Sequence, residues 1–359
     1  MSSYCTDSRR QFLKTSLLGG LGLAETFRFA GAADAQDNRG APLQSPAPFI
    51  PQVPPARVAL TTGDSRADNT FRGLRTFQKE IARAIGDKLV VIKANNVNID
   101  KPPCATHADQ LEGILEFLKS IHKKNVVIAE SPGDGSAVEG FANYGYNKFV
   151  GKYGIKLVDL DKTESEVMYC LDQSDLRPHS CRVSRLMLDP NSFIISAAKL
   201  KTHVLVVATY SLKNVVVGSA IKEAGSAPGR GRSDKPIIHG GGARGIHFNL
   251  AAMAARLHPH LAVIDGFEGM EGEGPLTGPL IHHGVCVVSS DWLAADTVGA
   301  QLMGIGIDKI GYLTYSAQAG LGQADLSKIE ILGPALKDNI KIYKMPKMDL
   351  SWQNPLQSA

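Results

Sequence analysis

Apolar residues recur along this chain in two alternating patterns, short unbroken runs and longer stretches with helical spacing. Residues 57–60, 88–93 and 125–129 read as buried strands, and residues 69–85 and 108–123 between them as amphipathic helices. Alternation of strand and helix predicts a mostly parallel sheet covered by helices. Further strands are expected at residues 183–188, 193–197, 261–264 and 285–288, and helices at 246–257 and 292–303. The expected fold is α/β, a single large domain with loop insertions over residues 57–335, followed by a C-terminal extension at 336–359.

Upstream of the first strand the pattern changes. Residues 36–56 hold Pro42, Pro46, Pro48, Pro51, Pro54 and Pro55 with little apolar periodicity, which predicts an extended linker. Before it, Ser8-Arg9-Arg10-Gln11-Phe12-Leu13-Lys14 precedes an uncharged Gly- and Leu-rich stretch at 15–24, and Ala33-Asp34-Ala35 offers a small-x-small cleavage site. The apolar run is too short to span a bilayer, and the Ser-Arg-Arg-x-Phe-Leu-Lys order resembles the twin-arginine signal of bacteria. Residues 1–35 are therefore expected to address the chain to the twin-arginine translocase. The mature protein is expected in the periplasm or outside the cell, with no membrane span once the signal is removed.

Composition narrows the function classes. The formal net charge is +4, falling to +3 when four cations (Arg9, Arg10, Lys14, Arg28) and three acids (Asp7, Glu25, Asp34) leave with the signal. Basic runs interleaved with aromatics are absent, so nucleic acid is not an expected partner. Of the five cysteines, Cys104, Cys170, Cys181 and Cys286 remain after cleavage. Without CxxC spacing they form no iron-sulfur or zinc motif, whereas Cys170 and Cys181 could close a short loop as a disulfide or stay as buried thiols.

Candidate chemistry gathers where predicted strands end, the usual ligand crevice of open parallel sheets. The second strand runs into Lys93-Ala94-Asn95, and the third into Glu130-Ser131. A cation ending a buried strand needs an acidic partner or an anionic ligand, which singles out Lys93. If residues 199–203 continue the preceding strand, Lys199, Lys201 and His203 share one face. That row suits a carboxylate, a phosphate or a charged cofactor, with His203 as acid, base or metal ligand, or else it is a solvated edge. Ser211-Leu212-Lys213-Asn214 follows. Residues 228–232 and 239–245, rich in Gly and Arg and including Arg244, are either an anion-binding turn opening a helix or a mobile loop.

The sharpest feature is Asp265-Gly266-Phe267-Glu268-Gly269-Met270-Glu271-Gly272-Glu273-Gly274-Pro275, in which carboxylates alternate with glycines. Glycines let a loop fold back so that Asp265, Glu268, Glu271 and Glu273 face one point. Mg²⁺, Mn²⁺ or Ca²⁺ takes such oxygen ligands, and a solvated acidic loop is the alternative. Asp291 has the position of a helix cap. Asp296 lies on an otherwise apolar helical stripe, where a pairing with Lys93, Lys199 or Lys201 is expected.

The series Lys93-Ala94-Asn95, Lys199-Leu200-Lys201-Thr202-His203, Ser211-Leu212-Lys213-Asn214 and Asp265-Gly266 to Gly272-Glu273-Gly274-Pro275, with Asp291 and Asp296, resembles the DUF362 family over residues 57–335. The resemblance implies an α/β domain but no defined activity. Many members carry a ferredoxin-like cysteine module and so suggest low-potential redox chemistry, a module this chain lacks. The leading expectation is an exported, metal-assisted enzyme acting on a small anionic substrate. Lys93, Asn95, Lys199, Lys213, Asn214 and Arg244 would bind that substrate, and His203 and Lys201 would be catalytic. The alternative is a noncatalytic anion- or cofactor-binding protein of a periplasmic redox system.

Overall fold

The computed structural model describes residues 51–223 and 233–353. The expected signal, residues 36–50 of the linker and the glycine-arginine stretch at 228–232 lie outside the described residues. Strand β1 (Ala56–Thr62) leads into α1 (Arg66–Thr76), whose first turn is capped by the Ser65 hydroxyl accepting from the Asp68 amide at 3.3 Å. The single helix expected at 69–85 breaks at Phe77, whose amide bonds back to the Leu74 carbonyl at 3.1 Å. The chain then restarts as α2 (Gln78–Ile85). This bend carries Phe77, Ile81 and Ile85 into one core.

The next elements are β2 (Leu89–Lys93), α3 (Ala108–Ser120), β3 (Val126–Glu130), α4 (Ala137–Asn143), α5 (Lys148–Tyr153) and β4 (Lys156–Asp159). A two-stranded antiparallel hairpin follows, β5 (Ser165–Leu171) and β6 (Pro178–Ser184). The strand expected at 183–188 thus ends early, and residues 185–187 form a 3-10 turn. Strand β7 (Ser192–His203) has all twelve residues buried, β8 (Val207–Thr209) folds back on its end, and α6 (Ser211–Ser219) follows. The order closes with α7 (Lys235–His239), α8 (Ala243–Ala254), β9 (Leu261–Met270), β10 (Leu280–Ser289), α9 (Trp292–Leu302), α10 (Gly311–Gln318) and β11 (Ile329–Leu332).

Nine strands form one mixed sheet in the order β11-β1-β10-β9-β7-β2-β3-β4, with β8 bonded to β7 off that path. β9, β7, β2, β3 and β4 run parallel, β10 runs antiparallel to both β9 and β1, and β11 is parallel to β1. The period of two along each strand feeds two cores. Val58, Leu60, Val91 and Val127 face α6 to α10, while Ala59, Val90, Ile92, Val126 and Ile128 face α1 to α5. The result is the expected α/β architecture, a mostly parallel sheet with helices on both faces.

The acidic, glycine-rich segment departs from expectation. Residues 265–270 are not a loop but the second half of β9, with Gly269 opposite Ile281 and Met270 opposite Leu280 on β10. Its glycines serve close packing. A methyl at Gly266 would lie 2.6 Å from both Leu200 Cδ1 and Val285 Cγ2, and one at Gly269 would collide with the buried Tyr343 ring. Cys170 and Cys181, on β5 and β6, are free and buried, as are Cys104 and Cys286.

Candidate functional site

Three adjacent parallel strands, β3, β2 and β7, end in Glu130, Lys93 and His203, and a cavity of about 570 Å³ opens beyond them. Its wall takes Asn95 from the segment after β2, Lys201 from β7, Lys213 and Asn214 from α6, and Lys222, Lys235 and His239 from the stretch that includes α7. The parallel strands end side by side at this edge, so the residues at their ends supply the floor.

Lys93 is fully buried and ion-paired with Glu130, and its Nζ also donates to the Ala94 carbonyl at 2.6 Å. The Glu130 carboxylate further accepts from the amides of Asn96 (2.7 Å) and Ser131 (2.8 Å). Lys93 therefore has the acidic partner its position demanded, although burial still holds its pKa below the ordinary lysine value. Lys222 is likewise paired with Asp161.

The other cavity lysines bond to no carboxylate. Lys201 donates to Asn95 Oδ1 and, at 2.7 Å, to the Cys104 carbonyl. Lys235 donates to the carbonyls of Ala220 (2.6 Å) and Val217 (3.2 Å). Lys213, 9% exposed, has no hydrogen bond or ion pair among the described residues. Burial brings Lys201 down to about 8, and burial together with the Lys201 charge brings Lys213 to about 7. Burial also brings Lys235 to about 7, against the attraction of Asp161.

Two amides brace this frame. Asn95 Nδ2 donates to Asn214 Oδ1 at 3.0 Å, and Asn214 Nδ2 donates to the Lys93 carbonyl (3.1 Å) and Ser196 Oγ (3.0 Å). His203 Nδ1 accepts from the Leu205 amide at 3.1 Å, which assigns its proton to Nε2. His239 Nδ1 lies 2.8 Å from the Lys235 carbonyl, which assigns its proton to Nδ1 and leaves Nε2 as an acceptor. Burial, reinforced by the Lys213 charge, lowers both imidazoles, His239 to about 4 and His203 well below the ordinary histidine value. Both are therefore neutral at pH 7.

Seven expected residues thus meet in one place: Lys93, Asn95, Glu130, Lys201, His203, Lys213 and Asn214. Others do not. Lys199 sits opposite Asp265 in the β7–β9 register, and the irregularity in pairing that follows separates it from the cavity row. Asp265 is buried in an ion pair with Arg66 Nε at 3.0 Å, and Glu268 meets the same guanidinium at 2.8 Å. Glu271 accepts from the Lys344 amide at 2.8 Å, and Glu273 is exposed. Of the four carboxylates expected to converge, Asp265 and Glu268 therefore meet at Arg66, whereas Glu271 bonds elsewhere and Glu273 is exposed. Among the described residues no group of three or more His, Cys, Asp or Glu is placed to hold a metal ion.

Asp296 pairs with none of the lysines. It caps the start of α6, accepting from the Ser211 amide (2.9 Å), the Ser211 hydroxyl and the Leu212 amide (3.1 Å), and burial raises it to about 7. Arg244 reaches away from the cavity to the Ser351 carbonyl at 2.8 Å. The glycines before it pack on the hairpin, where Gln173 Oε1 accepts from the Gly245 amide at 3.1 Å. Lys222 and Lys235 were not singled out from the sequence, and His239 entered only as the first residue of the 239–245 stretch, because none of them belongs to a run of residues with a shared spacing.

Fold and site together define a class: an α/β protein with a buried, lysine-rich cavity at the carboxyl edge of its parallel strands. Residues 90–301 match the family described as a domain of unknown function (DUF362), and the chain belongs to that family. The matched span contains every cavity side chain described above. The chain is also similar to a thylakoid-associated protein of Synechocystis sp., at 26% identity over 239 residues, 66% of this chain and 68% of the relative. A solved structure of a protein from Thermotoga maritima resembles 72% of this chain at a TM-score of 0.41 and 11% identity. The chain spans 60% of that protein's length.

Proposed function

We propose that this chain is an exported enzyme whose cavity binds and transforms a small anionic molecule. One observation carries the reading: Lys201, Lys213 and Lys235 converge on a single cavity of about 570 Å³, and among the described residues no carboxylate is bonded to any of them. Burying cations without counter-charge is costly, and an anionic ligand supplies the missing charge. The volume falls within the usual range for small-molecule sites, roughly 300–1,000 Å³. Anion recognition rests here on lysine ammonium groups and the Nε2–H of His203 rather than on a metal at residues 265–273.

The test is calorimetric titration of the purified protein with orthophosphate, oxalate and citrate. Substituting Lys213→Met should weaken the best of these by roughly 10–150-fold, the loss of one charged hydrogen bond. If no member of the panel binds, the reading fails. A second reading, noncatalytic binding of an anionic cofactor, is favoured by one feature: Glu130 and Asp161, the carboxylates nearest the lysines, are both held in ion pairs. Tight binding without turnover of any bound anion would select it.

Export belongs to the same proposal. Fractionation of cells producing the full chain should place the processed protein outside the cytoplasm. Replacing Arg9 and Arg10 by lysine should leave the precursor inside. Equal export of the two forms would remove the twin-arginine assignment.

A further inference from the structure

The cavity lysines are not equivalent. Lys93 and Lys222 are bound to carboxylates, and Lys201 and Lys235 each donate to two oxygen acceptors, which hold their nitrogens in place. Lys213 alone among them donates to nothing in the described residues, and it lines the open volume. The elements packed around α6 present further cations or imidazoles: Lys201 and His203 on β7, Lys93 on β2, Lys235 and His239 on α7, and His247 on α8. Asp296, on α9, is engaged with the first amides of α6.

We infer that Lys213 is a nucleophilic amine that forms an imine with the carbonyl carbon of a small 2-oxo carboxylate, whose carboxylate is met by Lys201 and Lys235. This rests on the anion-binding reading and goes beyond it by naming the reacting group and the substrate class. The bookkeeping of atoms is simple. The neutral amine nitrogen adds to the carbonyl carbon, the two hydrogens of the amine leave with the former carbonyl oxygen as water, and a C=N bond replaces C=O. No oxidant or reductant is consumed.

An amine can attack only when unprotonated. Desolvation beside a second cation is the known way to keep a lysine so near neutral pH, and here burial and Lys201 hold Lys213 at about 7. An ordinary lysine near 10.4 is only ~0.1% neutral at pH 7.5, and the downward shift of Lys213 gives it a larger free-amine fraction. The cavity also separates donor from acceptor on its two imidazoles, the Nε2–H of His203 and the Nε2 lone pair of His239. The Nε2–H of His203 can donate to an oxygen of the bound oxo acid, whereas the Nε2 lone pair of His239 can accept only from an N–H or O–H, such as that of the attacking amine or the released water.

The experiment is reductive trapping. The purified protein is incubated with glyoxylate and sodium cyanoborohydride at pH 7.5, then digested and mapped by mass spectrometry. A carboxymethyl adduct should appear on Lys213 at least about tenfold faster than on surface lysines, consistent with its larger free-amine fraction. Excess oxalate, which fills the anion site without a reactive carbonyl, should suppress it. Lys213→Arg cannot form the imine, so it should lose the adduct, and no other cavity lysine should acquire one at the rate seen for Lys213. Thermal melting of that variant establishes that it is folded. Adducts scattered over surface lysines with Lys213 unmodified, in protein that still binds oxalate, would overturn the imine and leave anion binding standing. Failure of orthophosphate, oxalate and citrate alike to bind the wild type would remove both.

Discussion

Lys93 and Lys213 stand in the same cavity under opposite constraints, and the difference is a single carboxylate. Removing it should be costly: Glu130→Gln leaves Lys93 buried without counter-charge and deprives two amides of a charged acceptor. A loss of about 3–5 kcal/mol in urea unfolding is expected, the usual result of breaking one side of a buried pair. A change below about 1 kcal/mol would mean that water or another group already serves Lys93. At this scale the sequence was partly legible. A lysine ending an apolar run implied a partner, and Glu130, at the end of the neighbouring strand, was already a candidate. Asp296 was misread because a helix that starts at Ser211 takes its cap from a helix 85 residues away in the chain. Local spacing carries no trace of such a contact.

Among the elements, the strands were the most legible and the glycines the least. Short apolar runs located β1, β2 and β3 within a residue or two, because buried parallel strands have no polar face to blur them. The second half of β9 was hidden because Gly and Asp are turn formers by local propensity, whereas Tyr343 and Leu200 impose the need for glycine from a distance. This has a measurable side. Gly269→Ala should destabilise the protein by about 1–3 kcal/mol, as overpacking of a closed core does. The same change made in a Tyr343→Leu background should cost clearly less, read from paired denaturation curves. Indifference to Gly269→Ala in the wild type would restore the loop description. The break at Phe77 was equally invisible, since α1 and α2 share one uninterrupted helical period across it.

For the whole molecule, the cavity couples stability to pH. Lys201, Lys213 and Lys235, at about 8, 7 and 7, lie below their ordinary value of 10.5 in the folded state. Between those values the unfolded chain binds more protons, so stability rises as pH rises from about 7 toward 10 and is lost as pH falls through 8 and 7. Ligand-free protein should therefore gain at least about 1.4 kcal/mol over that window. Saturating oxalate should flatten the slope by favouring the charged lysines. A ligand-free stability curve that falls across the same window would contradict the burial of these amines in an empty site. Oxalate affinity itself should weaken above pH 8, as the amines lose their charge.

The first strand pairs only with late ones. β1 lies between β10 and β11, so Thr61 faces Cys286 and Ala59 faces Leu332. During synthesis, β1 leaves the ribosome long before either neighbour exists, and its edges stay open until translation has passed residue 332. Closure of the sheet is thus an event of the finished chain. A nascent fragment that ends before β10 has a first strand still waiting for its partners, and a ribosome stalled there should hold a chain whose β1 amides exchange freely with solvent.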